Sequence, residues 1–297
     1  MKFLTFTPGG HDTRLGAVLD DGALLDLTAA LGAGAPRDVA ALIEGGDALL
    51  DQVRTALANA PARHRLAMDA VKVLAPLPRP GKNIFCVGRN YREHIIEGNR
   101  AAGRDPHDFP KAMEVFTKPW TTVVGPGDDV RRHAAHTRIL DYEIELAIVV
   151  GKAGTDIPRE RALEHVFGYT IVNDVTARDL QKRHGQWFKG KSLDTFCPMG
   201  PWVVHRSAVP DAQDLDMELQ VNGETRQRAN TSDMLFDVPA IIEQLSAGLT
   251  LHPGDVIATG TPSGVGFAMT PPRCLEPGDE MRLRITGLGE LVNRVVA

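Results

Sequence analysis

Leu140-Asp141-Tyr142-Glu143-Ile144-Glu145-Leu146-Ala147-Ile148-Val149-Val150 reads as a β-strand whose two faces disagree. Side chains alternate along a strand, so Leu140, Tyr142, Ile144, Leu146 and Ile148 share one face and Asp141, Glu143 and Glu145 the other. Residues 147–150 are apolar on both faces, the pattern of an interior strand. Carboxylates inside a sheet repel one another and lose solvation unless a cation joins them. Successive side chains on one face lie roughly 7 Å apart, so two can grip one ion. A second strand, residues 169–172, runs into Asn173-Asp174 and makes Asp174 a third candidate ligand. Three carboxylates without a cysteine or paired histidine nearby form a hard oxygen site suited to Mg²⁺, Mn²⁺ or Ca²⁺. A solvent-facing acidic edge is the other reading of the same pattern.

Outward from this stretch, residues 82–297 are mostly strand and turn. Residues 215–221 alternate, Asn222-Gly223 supplies a type I′ hairpin turn, and residues 224–228 return. Strands at 255–259 and 280–285 each follow a Pro-Gly-Asp turn, and helices are expected at 159–165, 177–183 and 239–246. Upstream, residues 1–75 form a small α+β unit, with strands at 3–7, 15–19 and 23–27 and a helical stretch over 39–60. Prolines at 76, 78 and 80, which neither continue a helix nor sit inside a sheet, mark the boundary. The chain thus reads as mainly β with some α, a mixed roll or sandwich rather than a doubly wound α/β fold.

Composition narrows the function. The 297 residues carry a net charge of −5 and no basic tract, which argues against nucleic acid and anionic membranes as partners. No apolar run approaches the ~20 residues of a membrane span, and the Pro8-Gly9-Gly10 turn comes too early for a signal peptide, so a cytoplasmic location is expected. Three scattered cysteines, Cys86, Cys197 and Cys274, fit buried free thiols better than a disulfide framework. Trp120, Trp187, Phe188, Phe196 and Trp202 are assigned to the core.

Gly185, four residues, then Gly190-Lys191-Ser192 satisfies the Walker A pattern. The context contradicts it: a charged helical segment precedes the loop, Gln186-Trp187-Phe188-Lys189 fills it with bulk, and Pro198 limits any helix after it. His94 and Glu97, three apart, meet only if their segment is helical. That spacing alone leaves His94 open between a surface histidine and a catalytic one. Residues 98–111, with Gly103, Pro106 and Pro110, read as a mobile cover. Arg92, Arg100, Arg104 and Lys111 are candidates to select a second substrate carboxylate.

Six blocks in order resemble the fumarylacetoacetate hydrolase family, in particular its bacterial short-form members, acylpyruvate hydrolases and hydroxymuconate isomerases. They are residues 82–91 (KNIFCVGRNY), 116–119 (FTKP), 141–145 (DYEIE), 168–181, 190–198 and 259–266 (TGTPSGVG). The resemblance implies the family's mixed β-roll, a homodimer, and Mg²⁺ held by Glu143, Glu145 and Asp174, with Mn²⁺ or Ca²⁺ as alternatives. It implies that His94 and Glu97 activate water and that Lys191 faces developing charge. Arg178, Gln181 and Thr261 would contact the oxo-acid substrate. Asp141 belongs to the motif without an assigned role. The reaction implied first is hydrolysis of a C–C bond in a 2,4-dioxo acid through an enolate. Decarboxylation of an oxaloacetate-like acid, isomerisation of a hydroxymuconate-type diacid, sugar-acid dehydration and non-catalytic binding stand as alternatives.

Overall fold

A computed structural model describes residues 1–9 and 12–297. Gly10, which closes the Pro8-Gly9-Gly10 turn read from the sequence, lies outside the described residues. The fold is mainly β, with two large sheets and with helices contributing to the cores on both faces of the larger one.

The acidic stretch supplies the centre of the larger sheet. Ile144–Val150 is buried along its whole length. It pairs antiparallel with Val166–Asn173 on one side and with Val256–Ala258 on the other. Val256–Ala258 in turn runs parallel to Ile84–Gly88, which pairs with the edge strand Glu114–Lys118. β-branched and aliphatic residues suit a strand covered on both faces. Their alternation sorts them into two cores. Ile144, Leu146 and Ile148 pack with Leu219, Leu283 and Leu291 of the second sheet. Ala147 and Val149 pack with Leu42, Ile43 and Val53 from the helices Val39–Glu44 and Gly46–Asn59. Each large aliphatic side chain so buried stabilises the fold by about 1.5–3 kcal/mol. The second sheet has the order Glu224–Asn230, Asp216–Val221, Glu280–Ile285, Gly289–Val296, Asp129–Arg131. Its first hairpin turns at Asn222 (φ 53°) and Gly223 (φ 80°), the left-handed pair that a type I′ turn requires.

The first 75 residues are tied into this framework. Lys2–Thr7 pairs with Cys197–His205 in the register Lys2↔Val204 and Phe3↔Val203, so one sheet runs through both parts of the chain. Phe3, Leu15 and Leu25 share a core with Cys86, Val172 and Met199. The proline segment crosses beside this seam, where Thr5 Oγ1 donates to Pro76 O at 2.9 Å.

Several local expectations need correction. The helical stretch at 39–60 is two helices, because Gly46 (φ 62°) turns the chain between them. Residues 159–165 wind as a 3₁₀ helix. The third short strand ends at Asp26, whose carboxylate caps the helix Leu27–Leu31 through the Ala29 N–H. Trp120 (43% exposed) and Phe188 (44% exposed) are not core residues; Trp120 stacks under the Arg79 guanidinium, 4.8 Å away. Cys274 is half-buried, unlike Cys86 and Cys197. No helix among the described residues is long and apolar enough to cross a membrane.

Candidate metal centre and active site

The acidic stretch is interrupted rather than continuous. Leu140–Asp141 pairs with Thr176–Ala177, and regular pairing resumes only at Ile144. Between them the Glu143 N–H donates to the Asn173 side chain (3.0 Å), while the Asp174 N–H donates to Glu143 O (2.9 Å). This side-chain substitution for a ladder bond sets Asp174 beside Glu143. As a result Glu143, Glu145 and Asp174, all buried, offer oxygens within 4.8 Å of one another, closer than ideal strand spacing allows. Asp141 does not join them. Its carboxylate accepts Arg178 Nε (2.9 Å), the Gly266 N–H (2.8 Å) and the Phe267 N–H (3.1 Å).

Three buried cations face these acids. Lys191 Nζ donates to Glu143 Oε2 (2.8 Å) and Asp174 Oδ2 (2.6 Å). Lys118 Nζ donates to Asp174 Oδ1 (2.6 Å) and Val175 O (3.2 Å), and also to Lys191 O. Arg178 reaches Glu143 Oε1 through Nη2 at 2.7 Å and donates through Nη1 to Gln181 Oε1 (3.2 Å). Lys118 received no role in the sequence reading. Its signal there is its place in the FTKP block, residues 116–119, to which no function was attached.

Four buried carboxylates against three cations leave one charge uncompensated, and it falls at Glu145. Glu145 accepts the Gly260 N–H (2.8 Å) but contacts none of the three cations. Burial, with Asp174 and Glu143 adding repulsion, pushes its carboxyl well above the usual range. At Glu143 burial also pushes upward, yet Lys191 and Arg178 together outweigh it and hold the group down to about 2. Burial disfavours the Lys191 charge, but Asp174 and Glu143 raise it above the ordinary lysine value. An oxygen-only donor set with a charge deficit fits a hard divalent cation. Such an ion converts the one-charge deficit into a one-charge excess, which suits an anionic ligand.

This arrangement fixes a pH dependence. A native carboxyl whose pKa is raised binds a proton that the unfolded chain has released, so stability falls as pH rises. Metal-free protein is therefore expected to lose melting temperature as pH rises above about 4.5 through the raised Glu145 value. Magnesium or manganese should reverse that slope, because the ion takes the place of the proton. Melting curves across pH 4.5–8 with EDTA and with Mn²⁺ check this; identical slopes would contradict it.

A cavity of about 960 Å³ opens onto this cluster, lined among others by His94, Glu143, Glu145, Arg178, Lys191 and Thr261. The helix Arg92–Ala101 brings His94 and Glu97 onto one face, with Nδ1 and Oε1 2.8 Å apart. Glu97 in turn accepts the Gly264 N–H (3.1 and 3.0 Å to its two oxygens). Thr261 lines the cavity with its hydroxyl proton committed to Ile144 O (2.9 Å), while Gln227 Nε2 donates to Thr261 Oγ1 (2.9 Å). Gln181 also lines the cavity, its carbonyl turned to Arg178. Of the four basic residues singled out near the cover segment, only Arg104 lines the cavity; Lys182 and Arg183 do so as well.

The Walker-like loop has no phosphate cradle. A helix, Arg178–Arg183, precedes it, and Lys191 ends a four-residue helix, Phe188–Lys191. A Cβ on Gly190 would lie 2.5 Å from Gln181 N, so this glycine serves the close approach of those two helices.

The family model for the fumarylacetoacetate (FAA) hydrolase C-terminal region matches residues 83–296. Oxaloacetate tautomerase YisK of Bacillus subtilis (strain 168) is 54% identical over 229 residues, 77% of this chain and 74% of its own. Among solved structures, a fumarylacetoacetate hydrolase from psychrophilic Exiguobacterium antarcticum is 44% identical, with a TM-score of 0.84 over 100% of this chain and 99% of that one. A maleylpyruvate hydrolase from Sphingobium sp. SYK-6, solved with manganese(II) and pyruvate, is 35% identical, with a TM-score of 0.78 over 100% of this chain and 99% of that one.

Proposed function

The chain belongs to the fumarylacetoacetate hydrolase C-terminal family, and from that membership we propose that it is a divalent-metal-dependent enzyme catalysing keto–enol tautomerisation of a short 2-oxo dicarboxylic acid of the oxaloacetate type. The observation that carries this reading is the placing of one imidazole, His94, and one ammonium, Lys191, in the same cavity as the three-carboxylate cluster. The 54% likeness to an oxaloacetate tautomerase directs it to this reaction.

Glu143, Glu145 and Asp174 would hold Mg²⁺ or Mn²⁺, which supplies Lewis acidity towards the 2-oxo carboxylate. Glu97 accepts from His94 Nδ1, fixing the tautomer that leaves the Nε2 lone pair free. His94 Nε2 takes the proton from C3 of the keto acid and, as the imidazolium, returns it to the 2-oxo oxygen to give the enol; no water is consumed. Lys191, kept charged by Asp174 and Glu143, stabilises the oxyanion formed between the two proton transfers. Arg104, Lys182 and Arg183 line the cavity without an ion-pair partner among the described residues, which supports a second carboxylate on the substrate.

Hydrolysis of a C–C bond in an acylpyruvate is the second reading. The same His94–Glu97 pair suits activation of water, and the maleylpyruvate hydrolase likeness spans the whole chain. Enol absorbance of oxaloacetate, followed with Mn²⁺ and with EDTA, separates the two when run beside maleylpyruvate and acetylpyruvate cleavage. Metal-dependent acceleration of enol decay without loss of oxaloacetate is the expected result. Faster cleavage of an acylpyruvate would favour the second reading, and no turnover of any of the three would remove both.

A further inference from the structure

Asp141 and Tyr142 open the acidic motif, yet neither lies in the metal cluster. Both are fully buried, and both reach the same backbone loop, residues 264–267. Tyr142 Oη donates to Gly264 O at 3.1 Å. Asp141 takes the N–H groups of Gly266 and Phe267. Just ahead of these anchors the Gly264 N–H donates to Glu97, whose carboxylate holds the His94 ring. Gly264 has φ 103°, and a Cβ there would lie 2.0 Å from Arg226 O, so the loop has little freedom to supply this N–H in another way.

We propose that Tyr142 is a positioning residue for the His94–Glu97 pair, acting through Gly264, so that one tripeptide, Asp141-Tyr142-Glu143, supplies a metal ligand and also seats the base on the opposite wall. The proposal deepens the function proposed above and rests on His94 acting as the base. Its chemistry is orientation: the hydroxyl fixes the Gly264 carbonyl, the glycine presents its N–H to Glu97, and Glu97 holds Nδ1 of His94. Loss of the hydroxyl widens the range of ring orientations without removing a group that touches substrate.

Tyr142→Phe deletes one oxygen and keeps the ring. In the proposal it lowers kcat about 3–10-fold, leaves KM within about twofold, and leaves Mn²⁺ affinity unchanged. The decisive readout is a double-mutant cycle with His94→Ala: Tyr142→Phe should have no further effect once the base is gone. An equal loss in both backgrounds, or no loss in the wild-type background, overturns the positioning role while leaving the function reading intact. Undiminished activity of His94→Ala alone would instead remove His94 as the base, the premise from which this proposal starts. Should Tyr142→Phe prove unstable, hydrogen exchange of wild type against Glu97→Gln tests the same linkage. Faster deuterium uptake over residues 260–268 in Glu97→Gln supports it, and equal uptake overturns it.

Discussion

Asp174→Asn is expected to abolish divalent-metal binding and to destabilise the metal-free fold by about 3–5 kcal/mol, the usual cost of breaking a buried ion pair from one side. Asp174 is fully buried and is the carboxylate that both Lys118 and Lys191 contact at 2.6 Å. Asparagine keeps the shape and an acceptor but removes the charge. Lys191 retains Glu143, whereas Lys118, itself fully buried, keeps only the carbonyls of Val175 and Lys191 among the described residues. In a chain of this size a loss of that order lowers the melting temperature by about 5–8 °C. Thermal melts in EDTA isolate the charge effect from metal loss. A variant that melts with the wild type would show that the Lys118 charge is compensated elsewhere.

His94→Ala should reduce turnover of the oxo-acid substrate by about 10²–10⁴-fold, the usual contribution of a positioned general base. The structural cost should be small, because the histidine side chain is partly exposed and its one side-chain hydrogen bond among the described residues is to Glu97, which keeps both contacts to Gly264. Melting temperature and Mn²⁺ affinity should therefore stay close to wild type. Glu97→Gln should lose less, since it leaves the imidazole in place with a weaker acceptor behind it. Steady-state kinetics on the metal-loaded variants check both, and full activity of His94→Ala would assign the proton transfer to another group.

What could be read from the chain divides along a physical line. Local rules carried far: alternation at residues 144–150 assigned faces that the two cores bear out, and Asn222-Gly223 gave the hairpin its turn. The three acids were legible as a group because strand spacing and charge both drew them together. The break at Tyr142-Glu143 was not legible, since it depends on Asn173, thirty residues on, replacing a ladder bond with its side chain. Lys118 escaped for a similar reason: its strand is at the sheet edge, and only the tertiary fold sets its ammonium against Asp174. The seam between Lys2–Thr7 and Cys197–His205 joins residues about two hundred apart, beyond the reach of any local pattern. Asp141 shows the limit most clearly: alternation grouped it with Glu143 and Glu145, and the strand break turned it to Arg178 instead.

Calorimetric titration of Mn²⁺ into metal-stripped protein, with wild type and Glu145→Gln side by side, reads the central claim most directly. The account predicts one site per chain in the wild type and none in the variant, whose neutral amide removes the one carboxylate lacking a cationic partner. Absence of binding to the wild type, or equal binding to both proteins, would contradict it.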